Sequence, residues 1–143
     1  FAPVDLPCGL HSYHFNPAGN QHLAGIDHAS YSFGNGTVDE PFSVGAWIRP
    51  NAILTNVIMG KYNSAGNLEE WRFFIDANGK LSLELHDASA STTEIAVSDA
   101  ALVVGQWVFV VAAYDGGETA PVVNLYASTG TAAVAAVNDG ATV

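Results

Sequence analysis

The chain's candidate chemistry is concentrated in a few residues. Glu84 and His86 stand two apart, and in an extended chain alternate residues project to one face. Retaining glycoside hydrolysis needs two carboxyl groups about 5–5.5 Å apart, one as nucleophile and one as acid/base. Asp87 projects away from Glu84, and Glu69 and Glu70 are neighbours in a polar loop. No carboxylate pair results, so a hydrolase is disfavoured and Glu84 and His86 read as a solvated strand face. Four of the five histidines come early: His11, His14, His22 and His28. His11 and His14 would face opposite sides of a strand, which argues against the convergent ligands that zinc requires. Trp71 and Trp107 read as core; Trp47, beside Ser43 and Arg49, reads as the most open tryptophan. Cys8 has no partner cysteine, so there is no internal disulfide. The sequence contains no phosphate loop, dinucleotide fingerprint or Ser/His/Asp set.

Charge narrows the partners. The net charge is −10, and the bases are only Arg49, Lys61, Arg72 and Lys80. From Leu81 to Val143 there are seven acids and no base. Nucleic acid needs a basic footprint, so it is excluded as a partner, as are anionic membrane surfaces. Hydrophobic residues make up 49% of the chain and charged ones only 13%, which supports a sizeable core and argues against disorder. No apolar run is long enough to span a membrane. Residue 1 is Phe and no basic segment precedes an apolar one, so a processed chain or a piece of a longer one is expected.

The elements that hold these residues alternate with period two and are separated by turn residues. Strands are expected at Leu10 to Phe15, Ala29 to Phe33, Phe42 to Arg49, Val57 to Tyr62 and Glu70 to Asp76. Others are expected at Lys80 to Asp87, Thr93 to Ser98, Trp107 to Tyr114, Val122 to Ser128 and Thr131 to Val137, with an Asn-Asp-Gly turn after the last. Trp107 to Tyr114 is apolar on both faces and reads as a central strand. The hairpin around Asn78-Gly79 fixes its own register. A two-residue loop would set Trp71 against His86 and Phe73 against Glu84. A loop of Ala77-Asn78-Gly79 instead pairs Trp71 with Leu85, Phe73 with Leu83 and Ile75 with Leu81, and puts Arg72 opposite Glu84. A one-residue slip reverses every side chain, so the apolar pattern selects the second register. The expected fold is an all-β antiparallel sandwich or jelly roll in one domain over residues 1–143.

Three blocks carry a family resemblance. Tyr13-His14-Phe15-Asn16-Pro17-Ala18-Gly19-Asn20 is an opening strand and turn. Phe42-Ser43-Val44-Gly45-Ala46-Trp47-Ile48-Arg49-Pro50 is an alternating strand closed by proline. Gly105-Gln106-Trp107 runs through Tyr114-Asp115-Gly116, with Leu125-Tyr126 in the following hairpin. In this order they resemble the laminin G-like branch of the concanavalin A-like lectin/glucanase superfamily. The family's usual closing strand has no counterpart before Val143, so the final strand is expected to be missing.

The resemblance implies a non-catalytic recognition or adhesion module that binds glycan or protein at a cell or particle surface, in an extracellular, cell-surface or virion-surface setting. Two alternatives stay open: a structural decoration domain contacting neighbouring subunits of a virion or surface layer, and an accessory domain of a carbohydrate-active enzyme. A glycan would lie on the face opposite the core, where the hairpin presents Arg72, Phe74, Glu84 and His86. There Arg72 and Glu84 would hydrogen-bond hydroxyls and Phe74 would stack, or the Arg72–Glu84 pair is merely structural. No cofactor is required. Calcium is the metal that relatives suggest, with Asp27 and Asp115 as candidate ligands; Asp115 also reads as a turn former before Gly116-Gly117.

Overall fold

Alternating side chains give each strand one face to bury, and two such sheets bury them against each other. The structure, a computed structural model, describes residues 12–16, 19, 21–34, 38–65, 68–87, 92–116 and 122–128, and the backbone of 135–142. Its strands are β1 (Phe42–Ile48), β2 (Asn56–Lys61), β3 (Trp71–Ile75), β4 (Lys80–Asp87), β5 (Thr92–Ala101), β6 (Val108–Tyr114), β7 (Val122–Ser128) and β8 (Ala135–Thr142). They form two antiparallel sheets of four strands, ordered β1-β6-β7-β8 and β2-β3-β4-β5. Strands β5 and β8 lie against each other at one side of the sandwich. The expected β-sandwich is therefore what the chain forms, and β6 is central in its sheet.

Phe73, Leu81 and Leu83 from one sheet meet Val110, Val123 and Leu125 from the other, all fully buried. The β3–β4 register is the one that the apolar pattern selects: Trp71 opposite Leu85, Arg72 opposite Glu84, Phe73 opposite Leu83 and Ile75 opposite Leu81. Its turn closes with Asp76 N–H donating to the Lys80 carbonyl at 2.8 Å and Gly79 N–H to the Asp76 carbonyl at 3.0 Å. Gly79 takes φ +81°, the left-handed conformation that such a bulged turn needs.

Other expectations are corrected. Ala29 to Phe33 is not a strand: Ala29–Tyr31 is a short 3-10 turn. The His28 ring accepts a hydrogen bond from Ser30 N–H at 3.1 Å, and Tyr31 N–H donates to the His28 carbonyl at 3.0 Å. These local bonds outcompete a ladder. Residues 12–15 are not in a strand either, while Leu10, His11 and Cys8 lie outside the described residues, as do residues 131–134. Asn138 to Gly140 form no turn; they run within β8, where its pairing with β7 shifts register. Trp107 precedes β6 and is half-buried.

The segment from Asp27 to Phe33 lies across one end of the sandwich. The Phe33 ring stacks on Phe42 with centroids 4.1 Å apart, and Phe42 in turn meets Trp71 and Tyr114. Trp71 Nε1 donates to the Tyr31 carbonyl at 2.8 Å. Lys61 Nζ meets Ser32 Oγ at 2.5 Å, Glu70 Oε1 at 2.6 Å and Asp27 Oδ1 at 3.2 Å.

Candidate functional site

The outer face of the β2–β5 sheet follows from register alone. Residues directly opposite in an antiparallel pair share a face. Val57, Phe74, Ser82 and Val97 therefore form one row across the four strands. Gly60, Arg72, Glu84 and Ile95 form the next, and His86 with Thr93 a third. All four expected ligand residues, Arg72, Phe74, Glu84 and His86, thus stand on one face.

Their surroundings differ from expectation. Glu84 is 4% exposed and Phe74 is 6% exposed, so neither is a solvated group. Arg72 Nη2 donates to Glu84 Oε2 at 2.6 Å. The Arg72 guanidinium lies 4.5 Å from the Tyr62 ring centroid and 4.7 Å from that of Phe74. Gly60 makes room for this. A Cβ there would come within 2.8 Å of the Trp71 carbonyl oxygen and 3.0 Å of the Arg72 Cα. Cation–π contact and the ion pair hold the guanidinium in place, leaving Arg72 Nε buried without a hydrogen-bond partner. Burial turns a surface pair worth a few tenths of a kcal/mol into one whose disruption strands a charge.

His86 shares a hydrogen bond with Thr93, Nδ1 to Oγ1 at 2.8 Å, and its Nε2 is 3.7 Å from Glu69 Oε2. Tyr62 follows β2 and is 36% exposed, so its ring is the open aromatic beside the guanidinium. Sequence reading gave Phe74 that role and passed over Tyr62. The available signal was Gly60-x-Tyr62, a missing side chain followed by a ring on the same face. Exposed Val57, Ile95 and Val97 border the polar centre.

The two metal candidates are not brought together. Asp27 pairs with the Lys61 ammonium. Asp115 Oδ1 accepts the Val122 N–H at 2.8 Å, which closes the β6–β7 connection. Among the described residues no group of three or more His, Cys, Asp or Glu is arranged to hold a metal ion.

The family model described as the concanavalin A-like lectin/glucanases superfamily, of the laminin G type, matches residues 24–142. The chain belongs to this superfamily. No curated protein and no solved structure matches it. Within the laminin G-like domain, the matched region takes in the whole β2–β5 face and begins just before the Asp27–Phe33 segment. On this domain's outer face the same-face neighbours of Glu84 along β4 are Ser82 and His86, neither of them an acid.

Proposed function

We propose that the chain is a non-catalytic recognition module, acting outside the cell at a cell or particle surface, and that it binds glycan or protein through the outer β2–β5 face. The observation that carries this reading is the half-open Tyr62 ring beside a guanidinium that Glu84 and Phe74 hold in place. An aromatic face against apolar C–H groups, with fixed polar groups around it, is the usual way a sugar is gripped. His86 and Thr93 supply further hydrogen-bonding atoms, and the exposed Val57, Ile95 and Val97 suit a protein ligand equally well. Catalysis lacks support because Glu84 is committed to Arg72 and has no carboxylate beside it on the strand. The membrane enters only negatively: among the described residues no helix is long and apolar enough to cross one.

A glycan array and a panel of extracellular-matrix proteins, probed with the wild type and Tyr62→Ala, test this. Binding by the wild type and at least a tenfold loss in Tyr62→Ala, with cooperative unfolding retained well above the assay temperature, is expected. A wild type that binds nothing, or a variant that binds as well, contradicts it. Release of reducing ends from β-glucan or alginate, abolished by Glu84→Gln, would contradict the non-catalytic part.

A further inference from the structure

The turn that sets the β3–β4 register contains a reactive dipeptide. Asn78 is exposed and Gly79 follows it, so no Cβ shields the peptide nitrogen next to the Asn78 side chain. In an Asn-Gly pair that nitrogen can attack the side-chain amide carbon. A bond forms between Gly79 N and Asn78 Cγ, and the Cγ–Nδ2 bond breaks. Gly79 N gives up its proton to solvent, and Nδ2 takes one from solvent and leaves as ammonia. Water then opens the cyclic imide at either carbonyl. One opening gives aspartate; the other gives an isoaspartyl link, which carries an extra carbon in the main chain. The net change is amide plus water to carboxylic acid plus ammonia, with nothing oxidised or reduced.

The fold closes this route at each reacting group. Gly79 N–H is donated to the Asp76 carbonyl at 3.0 Å, so the attacking nitrogen is occupied. The Gly79 carbonyl accepts from Leu102 N–H at 2.8 Å, which ties the same residue to the chain just after β5. Gly79 is buried, with the side chains of Ala101 and Ile53 close by. On the other reactant, Asn78 N–H donates to Asp76 Oδ1 at 2.8 Å, and Asn78 Nδ2 to Asp76 Oδ2 at 3.4 Å. Lys80 N–H donates to the same Oδ1 at 2.8 Å and holds the carboxylate over the turn. For the nitrogen to face Cγ, the Asn78–Gly79 peptide must rotate. That rotation breaks the bond to the Asp76 carbonyl and draws Nδ2 away from the carboxylate.

We propose that Asn78 is a self-modification site kept shut by Asp76, which cyclises with Gly79 only from conformers whose turn has opened. Local opening has its own free energy, separate from global unfolding, so the rate at residue 78 reports how often this turn opens. The change runs one way. Either product puts a carboxylate where an amide donated to Asp76, and like charges there repel. The isoaspartyl link also lengthens the three-residue loop that sets Phe73 opposite Leu83. The inference does not depend on the β2–β5 face binding anything.

Peptide mass mapping of residue 78 after incubation in mildly alkaline buffer tests this. Three samples are compared: the wild type in native buffer, the wild type unfolded in concentrated urea, and Asp76→Ala in native buffer. The unfolded chain is expected to convert readily at residue 78, and the native wild type at least about tenfold more slowly. Asp76→Ala, still unfolding cooperatively, is expected to convert several-fold faster than the native wild type. Native wild type that converts as fast as the unfolded chain overturns the proposal, and so does a folded Asp76→Ala that stays as slow as the wild type. Hydrogen exchange on the wild type decides the matter should that variant not fold. Sub-denaturing urea is then expected to speed Gly79 amide exchange and conversion at residue 78 by the same factor. Conversion that does not follow the Gly79 amide contradicts gating by this turn.

Discussion

Arg72 and Glu84 show what a single buried pair does to a surface reading. Their opposition across the β3–β4 hairpin was legible from alternation, because only one register kept Phe73 and Leu83 together. Their burial was not legible. It depends on Tyr62 and Phe74 closing over the guanidinium, and Tyr62 comes from the segment that follows β2. Arg72→Ala is therefore expected to cost about 3 kcal/mol, since it leaves a nearly inaccessible carboxylate without its counter-ion. Replacing both partners by Met and Leu is expected to recover most of that loss. Denaturant titration of the single and double variants checks this; a loss under about 1 kcal/mol for Arg72→Ala would put the pair back among ordinary surface contacts. Asp76 gives a pH-dependent counterpart. Desolvation pushes its carboxyl up, but the N–H groups of Lys80 and Asn78, each 2.8 Å from Oδ1, together hold it below the ordinary value. A carboxyl lowered in the folded state adds stability above its unfolded pKa of about 4, and that stability is lost as pH falls through the folded value. The stability gap between wild type and Asp76→Asn is thus expected to be full at neutral pH and to close in acid. A gap that stays constant from pH 7 to pH 2 would contradict the assignment.

At the scale of elements, the strands that alternate cleanly were predictable, and those with local alternatives were not. Phe42 to Ile48 and Val122 to Ser128 form as expected because each has one apolar face to bury. Ala29 to Phe33 alternates as well, yet His28 caps a 3-10 turn there, and Tyr31 and Phe33 serve Trp71 and Phe42 without joining a sheet. Single-residue patterning cannot show that a side chain will cap its own backbone. Turns obey similar local rules, and two glycines separate their costs. Gly79 has φ +81°, and a Cβ there would meet Ala101 and Ile53 at an ordinary 3.5 Å. Gly79→Ala is expected to cost only the left-handed backbone penalty, about 1–2 kcal/mol. Gly116 has φ +68°, and its Cβ would fall 2.5 Å from Pro41 N and 2.6 Å from the Glu40 carbonyl carbon. Gly116→Ala must also push the 39–41 segment away, which carries Asp39, the acceptor of the Tyr114 hydroxyl at 2.8 Å. It is expected to be clearly the more damaging of the two by thermal melting; equal costs would show that the segment yields freely.

Over the whole molecule, the superfamily was legible because the second and third sequence blocks map onto β1 and onto β6 with β7 in the right order, whereas the first block, residues 13–20, precedes the matched region and contributes no strand among the described residues. The site was half legible. Arg72, Phe74, Glu84 and His86 do share a face, but the ring that remains open to a ligand belongs to Tyr62, which register alone does not expose. A third feature of the same scale is the anchoring of the Asp27–Phe33 segment. The Glu70 hydrogen bond, against an opposing desolvation, and then Asp27 raise the Lys61 pKa. A base raised in the folded state contributes stability that is complete below its unfolded pKa and is lost as pH rises through the folded one. Lys61→Met is accordingly expected to loosen this segment at neutral pH, seen as faster hydrogen exchange at Tyr31 and Ser32, whose amides bond His28 and Ala29. Unchanged exchange would show that Phe33 and Trp71 hold the segment alone.

The central claim is that the outer β2–β5 face is the recognition surface. It is tested most directly by adding an array-selected glycan or protein ligand to 15N-labelled protein and mapping the amide shift changes. The result expected is a single cluster covering Tyr62, Arg72, Glu84, His86 and Ile95, lost in Tyr62→Ala. Shift changes confined to the sandwich ends or to the β1-β6-β7-β8 sheet, with that cluster unmoved, would contradict it.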